Sequence, residues 1–138
     1  MKIALRSVGE LKIWQKSIDL LEASHRLSST LPPEERYGLT SQIRRAATSV
    51  PANIAEGFGR WNARDFARFL AIAGGSLREL ETYVIIIQRL GYIRAAQAEA
   101  ILRSADDLAG MLFRMRQRIL NNARISESLA QSRKPKYS

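Results

Sequence analysis

The sequence has 138 residues, of which 46% are hydrophobic and none is cysteine, and its formal net charge is +9. This length predicts one domain, and the absence of cysteine excludes a disulfide framework and thiolate metal sites. No apolar run approaches the ~20 residues of a membrane span, and the first residues lack an export signal. We therefore expect a cytoplasmic protein with no membrane partner.

The positive charge is concentrated near the end of the chain. Residues 111–138 hold 7 Lys and Arg against 1 Asp or Glu, a net of +6, whereas residues 1–110 hold 15 against 12, a net of +3. Such a segment favours polyanions, of which nucleic acid is the commonest. The alternative interpretation is a tail that only keeps the protein soluble.

The first helix is predicted to follow Ser7–Glu10, whose Ser and Glu have the spacing of a capping box. One face of this helix carries five residues at heptad-like spacing: Leu11, Trp14, Ile18, Leu21 and His25. The helix should end near Leu31, because Pro32 disfavours helical geometry in the residue before it.

The second helix lies within Tyr37–Arg60, which reads YGLTSQIRRAATSVPANIAEGFGR. Its apolar line has spacings of three and four: Leu39, Ile43, Ala46, Val50, Ile54 and Phe58. Pro51 displaces a backbone hydrogen bond, yet the apolar line keeps its phase on both sides of it. We therefore predict one helix that is bent at Pro51. Small residues occupy the opposite face, either as a solvent face or as a seam for a second backbone: Ser41, Thr48, Ala52, Ala55 and Gly59.

The third helix should run roughly from Ala63 to Leu90 with Asn62 as its cap and Gly91 as a left-handed end. Its apolar positions alternate by three and four: Phe66, Leu70, Ala73, Leu77, Leu80, Val84 and Ile87. A fourth helix follows Ile93 with a similar inner face: Ile101, Ala105, Leu108, Leu112, Met115 and Ile119. We place the bundle domain at residues 1–122 and a basic, disordered tail at residues 123–138.

Four amphipathic helices with short connections and no strand signal predict an all-α fold, an antiparallel up-down-up-down four-helix bundle. The third helix is apolar over more than one face, because Ile72, Tyr83, Ile85 and Ile86 fall outside its core arc. Residual apolar surface of this kind marks a protein interface, here with copies of the same chain. The alternative is that the bent helix or the tail covers it. The predicted interface comprises Thr48, Ala52, Ala55, Ile72, Gly75, Tyr83, Ile85 and Ile86.

Arginines form a second surface on the third helix, where several fall within about 40° of one direction. They could face a phosphate backbone, form an ordinary solvated face, or pair with carboxylates of a neighbouring subunit. The candidate nucleic-acid contacts are Arg44, Arg45, Arg60, Arg64, Arg68, Arg78 and Arg89.

No pattern typical of an enzyme occurs in the sequence. His25 is the single histidine and, without cysteine, cannot anchor a usual zinc site. We interpret it as a hydrogen-bonded core or interface residue. Asn53 and Glu56 are the best polar candidates near Pro51, and we assign them to backbone carbonyls or helix bridging. We expect no catalytic residue, no metal and no cofactor.

The runs YGLTSQIRRAATSVPANIAEGFGR and FLAIAGGSLRELET, with LKIWQKS before and LGYI after, resemble the four-helix-bundle family of proteins encoded in intervening sequences of bacterial 23S rRNA genes. The resemblance covers about Leu11 to Ile119 and implies a homopentamer without a settled activity. A more distant resemblance is to the pentameric accessory protein of diversity-generating retroelements, which partners a reverse transcriptase and nucleic acid. The signature positions carried over by motif are Arg44, Arg45, Asn53, Glu56, Gly57 and Arg60.

These observations predict a non-enzymatic, homo-oligomeric helical module that binds nucleic acid or a nucleoprotein through arginine-rich surfaces. The rival prediction is a pure protein–protein scaffold with no nucleic-acid role. A small-molecule binder in the channel of a ring is a third class. The tail lies outside the resemblance, so most of the net charge is not a family feature.

Overall fold

The computed structural model describes residues 7–135 of the protein as four α-helices with short connections. They are α1 (Lys12–Ser28), α2 (Leu39–Phe58), α3 (Ala63–Arg89) and α4 (Ala95–Ser132). Two short 3₁₀ segments, Val8–Glu10 and Pro33–Glu35, precede α1 and α2. Residues 7–135 contain no strand, and the predicted all-α four-helix bundle is confirmed.

Neighbouring helices pack in the order α1–α2–α3–α4, and α1 also contacts α4, which closes the bundle. The contacts between α2 and α3 pair early residues of one helix with late residues of the other. Arg45 bonds Glu79, and Ser49 bonds Ser76 at 2.8 Å. Further along, Gly57 faces Phe69. These pairings indicate that α2 and α3 run in opposite directions.

Helix α2 continues without interruption through Pro51, which is itself buried. The apolar line predicted for α2 faces the core, with its ends, Leu39 and Phe58, packed against the core edge. The side chain of Asn53 donates to the carbonyl of Ser49 at 2.8 Å, one turn earlier. Asn53 therefore bonds the backbone beside the proline, and the bend at Pro51 stays a prediction.

Helix α3 packs between α2 and α4, and all seven residues of its predicted apolar line are buried. The side-chain oxygen of Asn62 accepts from the amides of Arg64 and Asp65 at 2.8 and 3.3 Å, so the predicted cap is confirmed. At the other end, Gly91 has a φ of 82°, which a glycine adopts without steric cost. The cap at Asn62 and the left-handed conformation of Gly91 therefore set where this helix begins and ends.

The predicted capping box before α1 is wrong, and the predicted inner face is only partly right: Leu11 is buried, and Trp14 and Leu21 pack against the core edge. Ser7 makes no capping hydrogen bond, residues 8–10 form a 3₁₀ turn, and α1 begins at Lys12. His25 is exposed, so it is not a core residue of this chain. The face that the bundle buries lies one residue away from the predicted one: Ile13, Ser17, Leu20, Ser24 and Leu27. Serine at two of these positions concealed the pattern, because a serine can occupy a buried helical position by bonding its own backbone, as Ser17 does to Trp14 at 2.6 Å.

Helix α4 continues to Ser132, beyond the boundary predicted at residue 122, and the division of the chain at that residue stays a prediction. Ala123, Ser126 and Glu127 line a cleft against the start of α3, and residues such as Ala, Leu and Glu have high helix propensity. The disordered tail predicted for residues 123–138 therefore includes ten helical residues. The last three residues, 136–138, lie outside the described part of the chain.

Candidate interaction surfaces

The outer face of α3 carries large apolar side chains that the bundle does not cover. Ile72 and Ile85 are each 42% exposed and Ile86 is 37% exposed, whereas Tyr83 is half-buried against the core edge. All of these positions lie on a helix whose own core stripe is already complete. Their exposure therefore follows from an excess of apolar residues over what one bundle can bury.

Two adjacent glycines make the same helix thin where it borders α4. A Cβ atom added at Gly74 or Gly75 would meet nothing within 4 Å, so neither glycine is needed for packing inside the chain. They line a groove of about 300 Å³ between α3 and α4, beside Phe113, which is 60% exposed. Glycine in mid-helix costs about 1 kcal/mol relative to alanine. This groove is a place where a second molecule can approach the backbone closely.

The small-residue face of α2 lies at the surface. Thr48, Ala52 and Gly59 are exposed and Ala55 is half-buried. The Thr48 hydroxyl donates to the carbonyl of Arg44 at 2.7 Å, so its hydrogen bond stays within its own helix. What this face contacts outside the chain stays a prediction.

The arginines predicted to contact nucleic acid are mostly paired with carboxylates of the same chain. Five of them make ion pairs: Arg45 with Glu79, Arg60 with Glu56, Arg64 with Glu127, Arg68 with Asp65 and Arg78 with Glu81. Exposed pairs of this type contribute little to stability, but they reduce the positive potential that a phosphate would meet. The α3 arginines therefore form a mixed-charge surface.

The two remaining candidates, Arg44 and Arg89, differ from these five. Arg44 donates to the hydroxyls of Ser28 and Ser29 at 2.9 and 3.1 Å, and so joins α2 to the end of α1. Arg89 is exposed at the last position of α3 and makes no ion pair within residues 7–135. Arg44 is therefore a structural link, and Arg89 is isolated from the other cations.

Two of the pairs join different helices, and each raises the pKa of its arginine above the ordinary value. The hydrogen bond and charge of Glu79 raise the pKa of Arg45 above its ordinary value. Arg64 binds both carboxylate oxygens of Glu127 at 2.8 and 2.7 Å, and this contact lowers the pKa of Glu127. The fork geometry of arginine favours such a contact, which holds the end of α4 against the start of α3.

Aromatic residues near the α2–α3 connection were not among the predicted sites. Trp61 is 98% exposed, and the guanidinium groups of Arg60 and Arg68 lie 5.1 and 4.6 Å from the ring centre of Phe69. The exposure of Trp61 could have been predicted from the sequence, because Trp61 lies in the connection between two helices, outside the apolar stripe of either one.

The described residues contain no arrangement that suggests chemistry. No three His, Asp or Glu side chains among them come together in a way that could hold a metal ion. Ser49 and Ser76 bond each other at 2.8 Å, with Asn53 also donating to Ser49. None of the described helices combines the length and apolarity that crossing a membrane requires.

The fold and these surfaces define a small helical-bundle protein whose distinguishing features lie on its outside. The chain belongs to the 23S rRNA-intervening sequence protein family, whose match covers residues 9–114. It is also similar to a protein of unknown function from the S23 ribosomal protein family of Bacteroides thetaiotaomicron, solved at 1.70 Å resolution. The two share 27% identity with a TM-score of 0.70, over 75% of this chain and 96% of that one. No curated protein matches the sequence.

Proposed function

We propose that this protein is a non-enzymatic cytoplasmic module that assembles with copies of itself through the outer face of α3 and binds nucleic acid through cations elsewhere on its surface. The observation that carries the proposal is the exposure of Ile72, Ile85 and Ile86 on a helix with a complete core stripe. The resemblance of the sequence to the family encoded in intervening sequences of 23S rRNA genes implies five subunits.

The assembly half of the proposal rests on the hydrophobic effect. Full burial of an isoleucine side chain contributes about 1.5–3 kcal/mol, so water-exposed isoleucines favour a partner surface. A stable interface buries ~800 Å² on each partner, which exceeds what the three isoleucines provide. Tyr83, Gly75 and the small residues Thr48, Ala52 and Ala55 would supply the remaining contact area.

The nucleic-acid half rests on where the unpaired cations lie. Residues 111–138 have a net charge of +6, and Arg114, Arg118, Arg133 and Lys134 make no ion pair within residues 7–135. Unpaired cations bind phosphates by releasing counterions, so their affinity falls steeply with salt. The ion-paired α3 arginines would contribute less than these cations.

A pure protein–protein scaffold is the second candidate function. It is favoured by the five ion pairs that neutralise Arg45, Arg60 and three arginines of α3. A scaffold would assemble like the first candidate and would show no salt-dependent binding to RNA or DNA. The two functions therefore share the assembly test and differ in the binding test.

The assembly test is the solution mass measured by light scattering. The wild-type protein should exceed the 15.5 kDa of one chain, and the double variant Ile72→Asp, Ile86→Asp should approach that mass. The matched control is Ile125→Asp, because Ile125 is an exposed isoleucine on α4. A monomeric wild-type protein, or a double variant with unchanged mass, would contradict the proposal.

The binding test is fluorescence anisotropy with labelled RNA and DNA between 50 and 200 mM salt. We expect affinity to fall by orders of magnitude over that range. Removing residues 133–138 should weaken binding while leaving the assembly intact, because α4 ends at Ser132. The absence of any binding at 50 mM salt would leave the scaffold as the function.

A further inference from the structure

A cluster of cations lies in the groove between α1 and α4. Lys12, Arg114 and Arg118 line one section of this groove, together with Met111 and Met115. Lys16 and Arg114 line the adjoining section, which shares Met111 with the first. The two sections adjoin at Met111 and Arg114, and four cations from two helices border them.

The spacing within each helix places these cations on the groove side by side. Lys12 and Lys16 are separated by four residues in α1, and Arg114 and Arg118 by four residues in α4. Residues with this spacing are neighbours on one helical face, about 6 Å apart along the axis. Each helix thus contributes two positive charges in a row.

These four side chains are free of the ion pairs that neutralise the α3 arginines. All four are exposed, and none makes a salt bridge with an acidic residue between positions 7 and 135. Asp106 and Asp107 line the far section near Lys16, where Arg78, paired with Glu81, also lies. The section around Lys12, Arg114 and Arg118 contains no acidic lining residue. Positive charge in the groove is therefore least offset by carboxylates at the end near the start of α1.

We propose that the α1–α4 groove, through Lys12, Lys16, Arg114 and Arg118, binds the phosphodiester backbone of a nucleic acid strand. This inference rests on the proposed nucleic-acid function and gives it a location that differs from the predicted arginine surface on α3. A row of cations on each wall can contact successive phosphates of one strand, and the half-buried Met111 and Met115 line the groove beside them. Backbone contacts of this kind carry no base specificity.

If the groove binds nucleic acid, removing its positive charges should weaken RNA and DNA binding more than removing the same number of charges elsewhere. The groove variant replaces Lys12, Lys16, Arg114 and Arg118 by Gln. The matched control replaces Arg45, Arg60, Arg68 and Arg89 by Gln, so both variants lose four positive charges. Every replaced residue is exposed, and circular dichroism and light scattering verify that fold and assembly are retained.

Binding of labelled single-stranded RNA and DNA is measured at several salt concentrations. The salt slope changes by about 0.7 for each phosphate contact with a single strand, so the groove variant should lose up to about 3 units of slope. Its affinity near 100 mM salt should fall on the order of tenfold to hundredfold, while the control changes only a few-fold. Comparing the affinities for RNA and DNA shows whether the protein prefers ribose or deoxyribose.

Three results would overturn the inference and are distinguishable from one another. Equal losses in the two variants would show that total charge decides binding. An unchanged groove variant beside a wild-type protein that binds would exclude the groove but retain the proposed function. Groove-dependent binding of polyglutamate with affinity equal to that for RNA would indicate an acidic protein partner. A wild-type protein that binds neither RNA nor DNA would refute the proposed function itself.

Discussion

Gly57 in α2 packs so closely against Phe69 in α3 that a Cβ atom added to the glycine would lie 2.7 Å from the Cβ of Phe69. The same atom would lie 2.9 Å from the ring of Phe66, which is fully buried. Neither neighbour can move without displacing backbone or core. The absence of a side chain at Gly57 therefore sets the distance between the two helices at this end of the bundle.

Replacing Gly57 by Ala should destabilise the protein by about 1–3 kcal/mol, the usual cost of overpacking. The loss should be visible in the midpoint of urea unfolding. The matched control is Gly75→Ala, because that position has open space around it and alanine favours helix by up to about 1 kcal/mol. Equal effects of the two changes on chain stability would refute the packing argument.

Gly75→Ala also tests the assembly surface independently of stability. If a second copy approaches the α3 backbone at the groove beside Phe113, the added methyl group should raise chain stability and weaken association. Light scattering across a dilution series measures the association. A variant that gains stability and keeps its mass on dilution would place the contact elsewhere on α3.

Ser24 in α1 is fully buried, and its hydroxyl has no hydrogen-bond partner among residues 7–135. A buried unsatisfied hydroxyl costs about 1–3 kcal/mol, so Ser24→Ala should raise the free energy of unfolding by about 1 kcal/mol or more. Ser17 is the natural control, since it is equally buried but bonds the carbonyl of Trp14. Ser17→Ala should raise the free energy of unfolding less than Ser24→Ala does, or lower it. Thermal unfolding of both variants measures the difference, and equal effects would contradict the prediction.

Sequence reasoning located α2 and α3 well because their buried stripes consist of apolar residues with unbroken spacing. It missed part of the buried face of α1 because Ser17 and Ser24 stand at buried positions that only tertiary packing reveals. It failed for the end of α4 because Asn121 to Ser128 has little apolar character. A contact with α3 from Glu127 supports the helix there, and no local pattern contains that contact.

The arginine surface shows a different limit of sequence reasoning. Three of its ion pairs lie at spacings of three or four residues, as with Glu56 and Arg60, and could have been predicted from helical spacing. The pairs from Arg45 to Glu79 and from Arg64 to Glu127 join residues 34 and 63 positions apart. The groove cations likewise come together only when α1 packs on α4. A helical wheel of one helix therefore does not show which of its cations form ion pairs with another helix and which remain unpaired.

The contact between Arg64 and Glu127 makes the end of α4 sensitive to acid. Arg64 lowers the pKa of Glu127 below its ordinary value of 4.5, so the stabilising contact is present above that value. It is lost as the pH falls through the lower pKa that the folded protein has. We therefore expect the protection factors of the amides in residues 123–132, which correct for the slower intrinsic exchange in acid, to fall at a higher pH than those of the bundle core.

The variant Glu127→Gln isolates this effect. At pH 7 its exchange in residues 123–132 should be faster than in the wild-type protein, and the difference should vanish once the wild-type carboxylate is protonated. Glu99→Gln is a suitable control, because Glu99 contacts Arg103 within α4 and joins no second helix. Identical exchange of the Glu127→Gln and wild-type proteins at pH 7 would show that the ion pair does not hold the end of α4.

Tyr92, in the α3–α4 connection, donates a hydrogen bond of 3.0 Å to a carboxylate oxygen of Glu35 in the α1–α2 connection. This bond, with the negative charge of Glu35, raises the pKa of Tyr92 above its ordinary value of 10.0. The contact favours the protonated tyrosine, so its stabilising effect is complete below pH 10.0 and declines as the pH rises through the higher pKa of the folded protein.

Tyr92→Phe should therefore lower the free energy of unfolding at pH 8, and the difference from the wild-type protein should shrink in alkali as the wild type also loses the bond. Urea unfolding at a series of pH values measures the difference. Tyr37→Phe serves as the control, because Tyr37 is 86% exposed and the guanidinium of Arg36 lies 5.5 Å from its ring centre. A pH-independent difference for Tyr92→Phe would mean that the ring, rather than its hydroxyl, holds the two connections together.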